Sequence, residues 1–519
     1  MATPSEKLAS SLEILKGLQD KNIVAIRTSQ LTRTHRERLL KNGFIKEVHS
    51  GWYIISSPDQ QDGDSTYWYS SYWKFCAEYL NHKFKNQWFI SAEQSLMIHA
   101  GNWTVPKQLI IKSAKANNFK TDLPFDTSFF QIKSTLPQQS EIVVIDGLRL
   151  MSVSTALVNA APNTFTQNAT DVRTAISVIK SSSDILAILL NGGHSIVAGR
   201  LAGAFRNIKK DKIANEIIKT MKDAGYAVRE SDPFEDQLPV LFNSKDVSPY
   251  ANRVRLIWSE CRQIIINQFP KAPGLPKKVD AYIKAVKEIY VTDAYHSLSI
   301  ERYQVTPALI ERVRSGSWNA KNNEADRKQR DAMAARGYWD AFQIVEKSIR
   351  KVLSGKNAGK ILDDDHGDWY RALFGPSVVS GLLKPADLAG YRNNQVYISN
   401  SMHVPLSKEA IRDAMPELME LLEQETEASV RAVLGHFIFV FIHPYMDGNG
   451  RMGRFIMNLM LASGGYPWTV IPVEKRKQYM HALEEASVNL NILPFAKFIS
   501  HLVSESMKGK PVAKVEPIK

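Results

Sequence analysis

The stretch Phe441-Ile-His-Pro-Tyr-Met-Asp-Gly-Asn-Gly-Arg-Met-Gly-Arg454 sets one imidazole, one carboxylate, a Gly-Asn-Gly turn and two arginines close together. Upstream, from about Thr426 to Ile442, apolar residues recur at Val430, Val433, Leu434, Phe437, Val440 and Phe441. That spacing predicts a helix with one buried face. Pro444 ends it, because it lacks an N–H and disfavours helical geometry in His443. Gly448 and Gly450 flank Asn449, so the chain can turn with φ > 0 and turn consecutive amides toward an anion. A second helix starts near Arg451, runs through Phe455, Leu459 and Leu461, and is capped by Gly464-Gly465. Its N-terminus offers free N–H donors and a positive dipole end, which suit a phosphate. Arg451 and Arg454 are three apart, share a helix face and can reach one polyanion. Asp447 is a hard oxygen ligand suited to Mg²⁺. His443 is a general base near neutral pH. Together these are the parts for holding a nucleotide polyphosphate and deprotonating an attacking hydroxyl.

The stretch resembles the signature of the Fic (filamentation induced by cAMP) family, H-P-F-x-D-G-N-G-R-x-x-R. It matches at every specified position except that Tyr445 stands for Phe. The resemblance covers about residues 255–505 and implies a mainly α fold: an all-α core with a β-hairpin flap. The implied reaction moves AMP from ATP to a Ser, Thr or Tyr hydroxyl of a target protein, with release of pyrophosphate. In that reaction His443 takes the hydroxyl proton and Asp447 holds Mg²⁺. Gly448, Asn449 and Gly450 donate amides, or the Asn side chain, to phosphate oxygens. Arg451 binds the α/β-phosphates and Arg454 the γ-phosphate. Tyr479 and Leu483 fall where the family lines its adenine pocket, and Ser487 stands where several members have Asn.

Ser297-Leu-Ser-Ile-Glu301-Arg302 resembles the inhibitory motif of the same family, [S/T]-x-x-x-E-[G/N], with Arg302 departing from Gly or Asn. The resemblance pairs Glu301 with Arg454. A carboxylate there removes a cation from the γ-phosphate and repels the triphosphate. Gly390-Tyr-Arg-Asn-Asn-Gln-Val-Tyr-Ile-Ser-Asn-Ser-Met-His-Val-Pro405 alternates apolar and polar residues between turn residues, which predicts a hairpin. In the family that hairpin is the flap, which lines up an extended target segment by strand addition. Glu301 activating water to remove AMP, or use of another phosphate-bearing donor, are the enzymatic alternatives. The kinase-like branch carries Lys at the second motif Gly, and Gly450 argues against it.

The chain has 519 residues, room for two or three domains, with 44% hydrophobic and 23% charged residues. Cys76 and Cys261 make neither a ligand nor a disulfide pattern and read as buried thiols in a reducing compartment. MATPSEKLASS lacks a basic-then-apolar leader pattern, and no apolar run spans a membrane. A cytoplasmic location is expected. The net charge of +13 favours acidic partners: nucleotides, nucleic acid or an acidic protein surface.

Residues 1–57 read as helices followed by a hairpin turning at Ser50-Gly51, a winged helix-turn-helix resembling the N-terminal part of AbiEi-type antitoxins. Arg33, Arg36, Arg38 and Lys41 cluster on its second helix, which makes DNA a candidate partner. A DNA-binding regulator with a Fic nucleotide-sensing half is the alternative from another class. Residues 58–240 read as a mixed α/β antitoxin-like region. Its aromatic run Tyr67, Trp68, Tyr69, Tyr72, Trp73 and Phe75 reads as core, since the rings bunch with only Lys74 among them. Asn191-Gly-Gly-His-Ser through Arg206 reads as close helix packing by small residues. Prolines 233, 239 and 249 punctuate a boundary. Residues 306–355 read as a charged, solvated helical stretch, Asp363–Asp368 as an acidic run, and 506–519 as a disordered tail. The oligomeric state is left open.

Overall fold

The computed structural model describes residues 3–59, 63–235, 248–316 and 330–515. It divides into two units, residues 1–249 with 397–404, and residues 250–396 with 405–519. Pro239 and residues 317–329 of the stretches singled out above lie outside the described residues.

The first unit opens with the helix Pro4–Gln19, started by a Thr3–Glu6 capping box and a proline in its first turn. A short strand Ala25–Arg27, the helix Arg33–Lys41 and the strands Ile45–His49 and Trp52–Ile55 follow. Trp52–Ile55 is the central strand, antiparallel to both neighbours. Leu15, Ile26, Leu39, Ile45 and Tyr53 fill the space between helices and sheet. The aromatic run forms the helix Thr66–Phe84, and Trp68, Tyr72 and Phe75 are fully buried, as their bunching predicted. That helix packs with a four-stranded sheet in the order Phe89–Ile90, Gln108–Ser113, Ser128–Lys133, Phe119–Asp122. Helices from Val153–Asn159 to Asp211–Asp223 close the unit around Leu157, Leu189, Leu201, Phe205 and Ile217. Gly199 and Gly203 lie so close to the carbonyls of Arg229 and Ser231 that any Cβ would collide. The small residues there serve close packing, against an extended segment rather than a second helix.

The second unit is a helical bundle. Ala428–Ile442 and Asn449–Ser463 are buried almost all round, which is the mark of central helices. Lys408–Gln424 is amphipathic, burying Ile411, Met415, Leu418 and Leu422 while Glu409 and Arg412 face water. Val279–Ile300, Ala358–Val379, Arg476–Val488 and Leu493–Met507 complete the surround. Mainly α is therefore the fold class.

Three expectations need correction. Arg330–Leu353 is no solvated face, because Tyr338, Ala341, Phe342, Val345 and Ile349 are in the core. Its charges occupy the remaining positions of a helix with one wide apolar side. The end of the chain is not loose up to Val515: Ala513 is buried and Lys514 C=O lies 3.2 Å from His296 Nε2. Residues 516–519 lie outside the described residues. Finally, no strand forms between Gly390 and Pro405. Side chains take the backbone groups that a hairpin would pair: Arg392 donates to Asn394 C=O at 2.8 Å and to Leu406 C=O, and Gln395 Nε2 donates to Pro405 C=O at 2.7 Å. Within the first unit, Asn400 Oδ1 accepts from Ser65 N–H at 2.9 Å, and Val105 N–H donates to Met402 C=O at 2.9 Å.

Candidate active site

His443 caps the central helix Ala428–Ile442 in a left-handed conformation, φ +56°, where Pro444 forbids another helical turn. Its N–H still reaches Phe439 C=O at 2.9 Å, so the reversal leaves the helix end satisfied. The ring donates from Nδ1 to Val440 C=O at 3.1 Å. That bond fixes the tautomer, and Nε2 of the neutral ring keeps its lone pair. Desolvation pushes the imidazole down to about 4, against the Val440 carbonyl and with the help of the Arg392 cation. His443 is therefore neutral and a proton acceptor at physiological pH. Arg392 Nε donates to His443 C=O at 2.8 Å, and Arg392 N–H donates to Pro444 C=O at 2.9 Å, which holds the turn from outside.

The turn that follows is built by Asn449. Its Oδ1 accepts from Tyr445 N–H at 3.0 Å and its Nδ2 donates to Tyr445 C=O at 2.8 Å. Asn449 is fully buried in doing so. The side chain is thus a brace for the loop, and only the amide remains for an anion, which narrows the role given to it from sequence. Gly448 sits at φ +80° as the N-cap of Asn449–Ser463, with the Phe374 ring 2.8 Å from where a Cβ would stand. Only glycine fits both constraints. Asp447 accepts from Gly448 N–H at 2.6 Å and its other oxygen lies 3.4 Å from Arg451 Nη2. Its side chain is 64% exposed, which leaves the carboxylate open to a cation.

The two arginines share the helix but not their surroundings. Arg451 is 1% exposed and lies between the rings of Tyr303, at 5.3 Å, and Phe374, at 5.0 Å. Cation–π contact with both rings holds the guanidinium in place. Arg454 donates from Nε to Ser297 Oγ at 2.7 Å, and from Nη2 to Ser297 C=O at 3.0 Å and Glu301 Oε1 at 2.7 Å. Among the described residues, Arg451 Nε and Arg454 Nη1 are buried donors with no hydrogen-bond partner. Buried N–H groups are seldom left so, and an anion between them would satisfy both.

Glu301 caps the helix Val279–Ile300. Arg302 N–H donates to Ser299 C=O at 3.0 Å and Tyr303 N–H to Leu298 C=O at 3.1 Å, the paired bonds of a Schellman ending. That ending needs a left-handed residue, and Arg302 supplies it at φ +66°. The geometry that Gly or Asn would take easily is therefore kept by an arginine under strain. The ending delivers Glu301 to Arg454 and Tyr303 to Arg451. A Cβ on Gly450 would collide with Glu301 Oε1, so the carboxylate stands directly over the start of the helix Asn449–Ser463. Desolvation pushes the Glu301 carboxyl up, but Arg454 and Arg451 more than reverse this and hold it below its usual range.

Tyr479 lies beside Arg454 and Glu301 but is closed to solvent. It is 1% exposed, its hydroxyl bonds His436 Nε2 at 2.8 Å, and its ring packs with Phe495 and Phe498. It is a core residue, because the helix Arg476–Val488 turns that position inward and leaves Met480 half-buried beside it. In the acidic run, Asp365 pairs with Lys351 at 2.8 Å and His366 bonds Tyr391 at 2.9 Å. Among the described residues no group of three His, Cys, Asp or Glu forms a metal cage. On the helix Arg33–Lys41, Arg38 donates to Lys7 C=O and Ser11, and Arg33 pairs with Glu37, so only part of that basic cluster is unengaged. Tyr303, Phe374 and Arg392 shape the site from segments with no motif of their own, and only Tyr303 carried a signal, two residues after Glu301.

Residues 367–461 match the Fic/DOC family. The protein adenylyltransferase Fic of Drosophila willistoni is 28% identical over 228 residues, 43% of this chain and 42% of that protein. The Drosophila ananassae protein of the same name is 35% identical over 228 residues, again 43% and 42%. The Drosophila grimshawi protein is 28% identical over 281 residues, 51% and 54%. The chain thus spans about half the length of the curated relatives it matches. Among solved structures, Fic-1 (residues 134–508) from C. elegans aligns with TM-score 0.37 and 16% identity, covering 69% of this chain and 90% of that one. A Fic domain containing signaling protein from Bacteroides thetaiotaomicron aligns with TM-score 0.34 and 16% identity, covering 50% and 99%.

Proposed function

We propose that this chain, whose residues 367–461 carry a Fic domain, is a protein adenylyltransferase that moves AMP from ATP to a target-protein hydroxyl and is restrained by Glu301. One arrangement carries the reading: a neutral imidazole with Nε2 free, beside a glycine-opened helix start and two buried arginines with unpartnered N–H groups. His443 Nε2 takes the proton of a Ser, Thr or Tyr hydroxyl. The oxygen attacks the α-phosphorus, the bond from that phosphorus to the α/β bridging oxygen breaks, and pyrophosphate leaves. The amides of Asn449 and Gly450, that of Gly448 once it leaves Asp447 Oδ1, and the guanidinium of Arg451 stabilise the charge that develops. Arg454 takes the γ-phosphate once Glu301 lets go.

Asp447 is the residue that would hold Mg²⁺. Its exposed carboxylate, standing alone rather than in a cage of three acids, suits a cation that keeps water and takes its other ligands from phosphate oxygens. When bound, the ion supplies positive charge to those oxygens. No helix of the described residues is long and apolar enough to cross a membrane. Cys76 and Cys261 are buried free thiols, and a cytoplasmic setting suits such thiols and an ATP-dependent reaction.

The test uses Glu301→Gly with ATP labelled in either the α- or the γ-phosphate. Label from the α-position alone, bound covalently to protein, is expected. Transfer of the γ-label instead would mean phosphorylation and overturn the reading.

A further inference from the structure

A cavity of about 780 Å³ opens in the second unit beside Asp447 and Arg451. Tyr370, Phe374 and Leu383 line it, with Leu382 at its edge 63% exposed. Arg330 and Arg412 also line it, and both are exposed. Among the described residues neither makes an ion pair, and Arg330 only lies over the Tyr303 ring at 5.4 Å. The one further acid on the wall, Asp387, accepts from the backbone of Lys384 at 2.8 Å. The cavity thus joins an aromatic and apolar wall to a polar one of nearly equal extent, and carries two cations that make no ion pair among the described residues.

Its position narrows the occupant. Asp447 and Arg451 line it while Glu301, Arg454 and Gly450 do not, so it opens from the Asp447–Arg451 side of the anion cradle. Tyr391, Arg392, Asn393 and Asn394 do line it. These residues open the segment 390–405, and Arg392 also braces His443. A chain bringing a hydroxyl to His443 Nε2 along that segment would have the cavity beside it. A volume of this size takes more than one side chain.

We propose that this cavity is the docking pocket for the acceptor protein. It receives an apolar or aromatic side chain on its Tyr370–Phe374 wall and an acidic side chain at Arg330 and Arg412. The proposal rests on the adenylyl-transfer reading for its choice of partner, and its test does not depend on transfer.

Peptides displayed on phage, each with one Tyr, Ser or Thr between randomised flanks, are selected on the full chain carrying His443→Ala. Binding of synthetic copies of the selected peptides is then measured on that chain and on versions that also carry Arg412→Glu, Leu382→Asp or Ser377→Trp. The selected peptides are expected to share an apolar residue and an Asp or Glu at fixed offsets from the hydroxyl residue. Arg412→Glu should weaken acidic peptides by about tenfold and favour copies with Lys in place of the acid. Ser377→Trp, which puts an indole into the cavity, should abolish binding while ATP binding is unchanged. Failure to select any peptide, or equal binding to all versions, overturns the proposal. So does displacement of the peptides by excess Mg²⁺-ATP, which would assign the cavity to the nucleotide. Failure of α-label transfer, by contrast, would remove the reaction while leaving these binding results to stand.

Discussion

His443 shows how much of the chemistry is local. The contiguous run from His443 to Arg454 brings together the residues proposed as base, metal ligand and phosphate donors by chain geometry alone, so their clustering could be read without a structure. The structure adds the tautomer and the depressed basicity. An imidazole held down to about 4 stays neutral from pH 8 to pH 5 and loses its lone pair only as pH falls through about 4. For the Glu301→Gly protein, transfer measured as kcat/KM is therefore expected to be flat above pH 5 and to fall on the acid side near 4. An acid limb near 6.5 would contradict the burial of this ring. Replacing His443 by Ala should cost roughly 10²–10⁴ in rate, with ATP binding by calorimetry unchanged. Gly448→Ala should also lose transfer, since its φ of +80° and the Phe374 ring both exclude a Cβ. The role of Tyr479 was not legible in the same way. Its hydroxyl suits a ligand as well as it suits His436, and nothing in the spacing says which the fold will choose.

In the proposed reading, the helix Val279–Ile300 would restrain the site through the way it ends. A Schellman ending at Glu301, with Arg302 left-handed, aims one carboxylate at Arg454 and one ring at Arg451. An L-residue with a side chain at such a position costs about 1–2 kcal/mol, which glycine would not. Arg302→Gly should therefore raise the melting temperature by a few degrees, firm the Glu301 contact and lower the basal transfer rate. Melting followed by circular dichroism and a transfer assay check the two halves of that expectation. A mutant that is both less stable and faster would mean that Arg302 makes an interaction worth more than its strain. The segment 390–405 marks where alternation misleads. The period of two was present, but a ladder needs free backbone groups, and Arg392 and Gln395 take those of Asn394, Pro405 and Leu406.

Across the chain, the helical periodicity of the second half and the helices and hairpin of the first sixty residues were legible, because each rests on short-range pattern, whereas the short strand Ala25–Arg27 was not. What lay beyond reach depended on long-range packing. The stretch 330–353 looks charged by composition, yet it buries Tyr338, Phe342 and Val345. The end of the chain looks loose, yet Ala513 is buried and Lys514 C=O faces His296. Ending the chain at 508 should therefore lower stability by about 1–2 kcal/mol for the lost apolar contact of Val512 and Ala513. A shift of a few degrees in thermal melting would register it, and no shift would show the contact to be dispensable. The account as a whole turns on one ion pair gating one base. Wild type, Glu301→Gly, His443→Ala and the double variant should be incubated with Mg²⁺ and α-labelled ATP, and the label on protein followed. Releasing a hydrogen bond to a charged group, about 1.5–3 kcal/mol, should raise transfer about tenfold to a hundredfold in Glu301→Gly. The two proteins without His443 should stay dark. Equal label on wild type and Glu301→Gly, or label that survives the loss of His443, would contradict it.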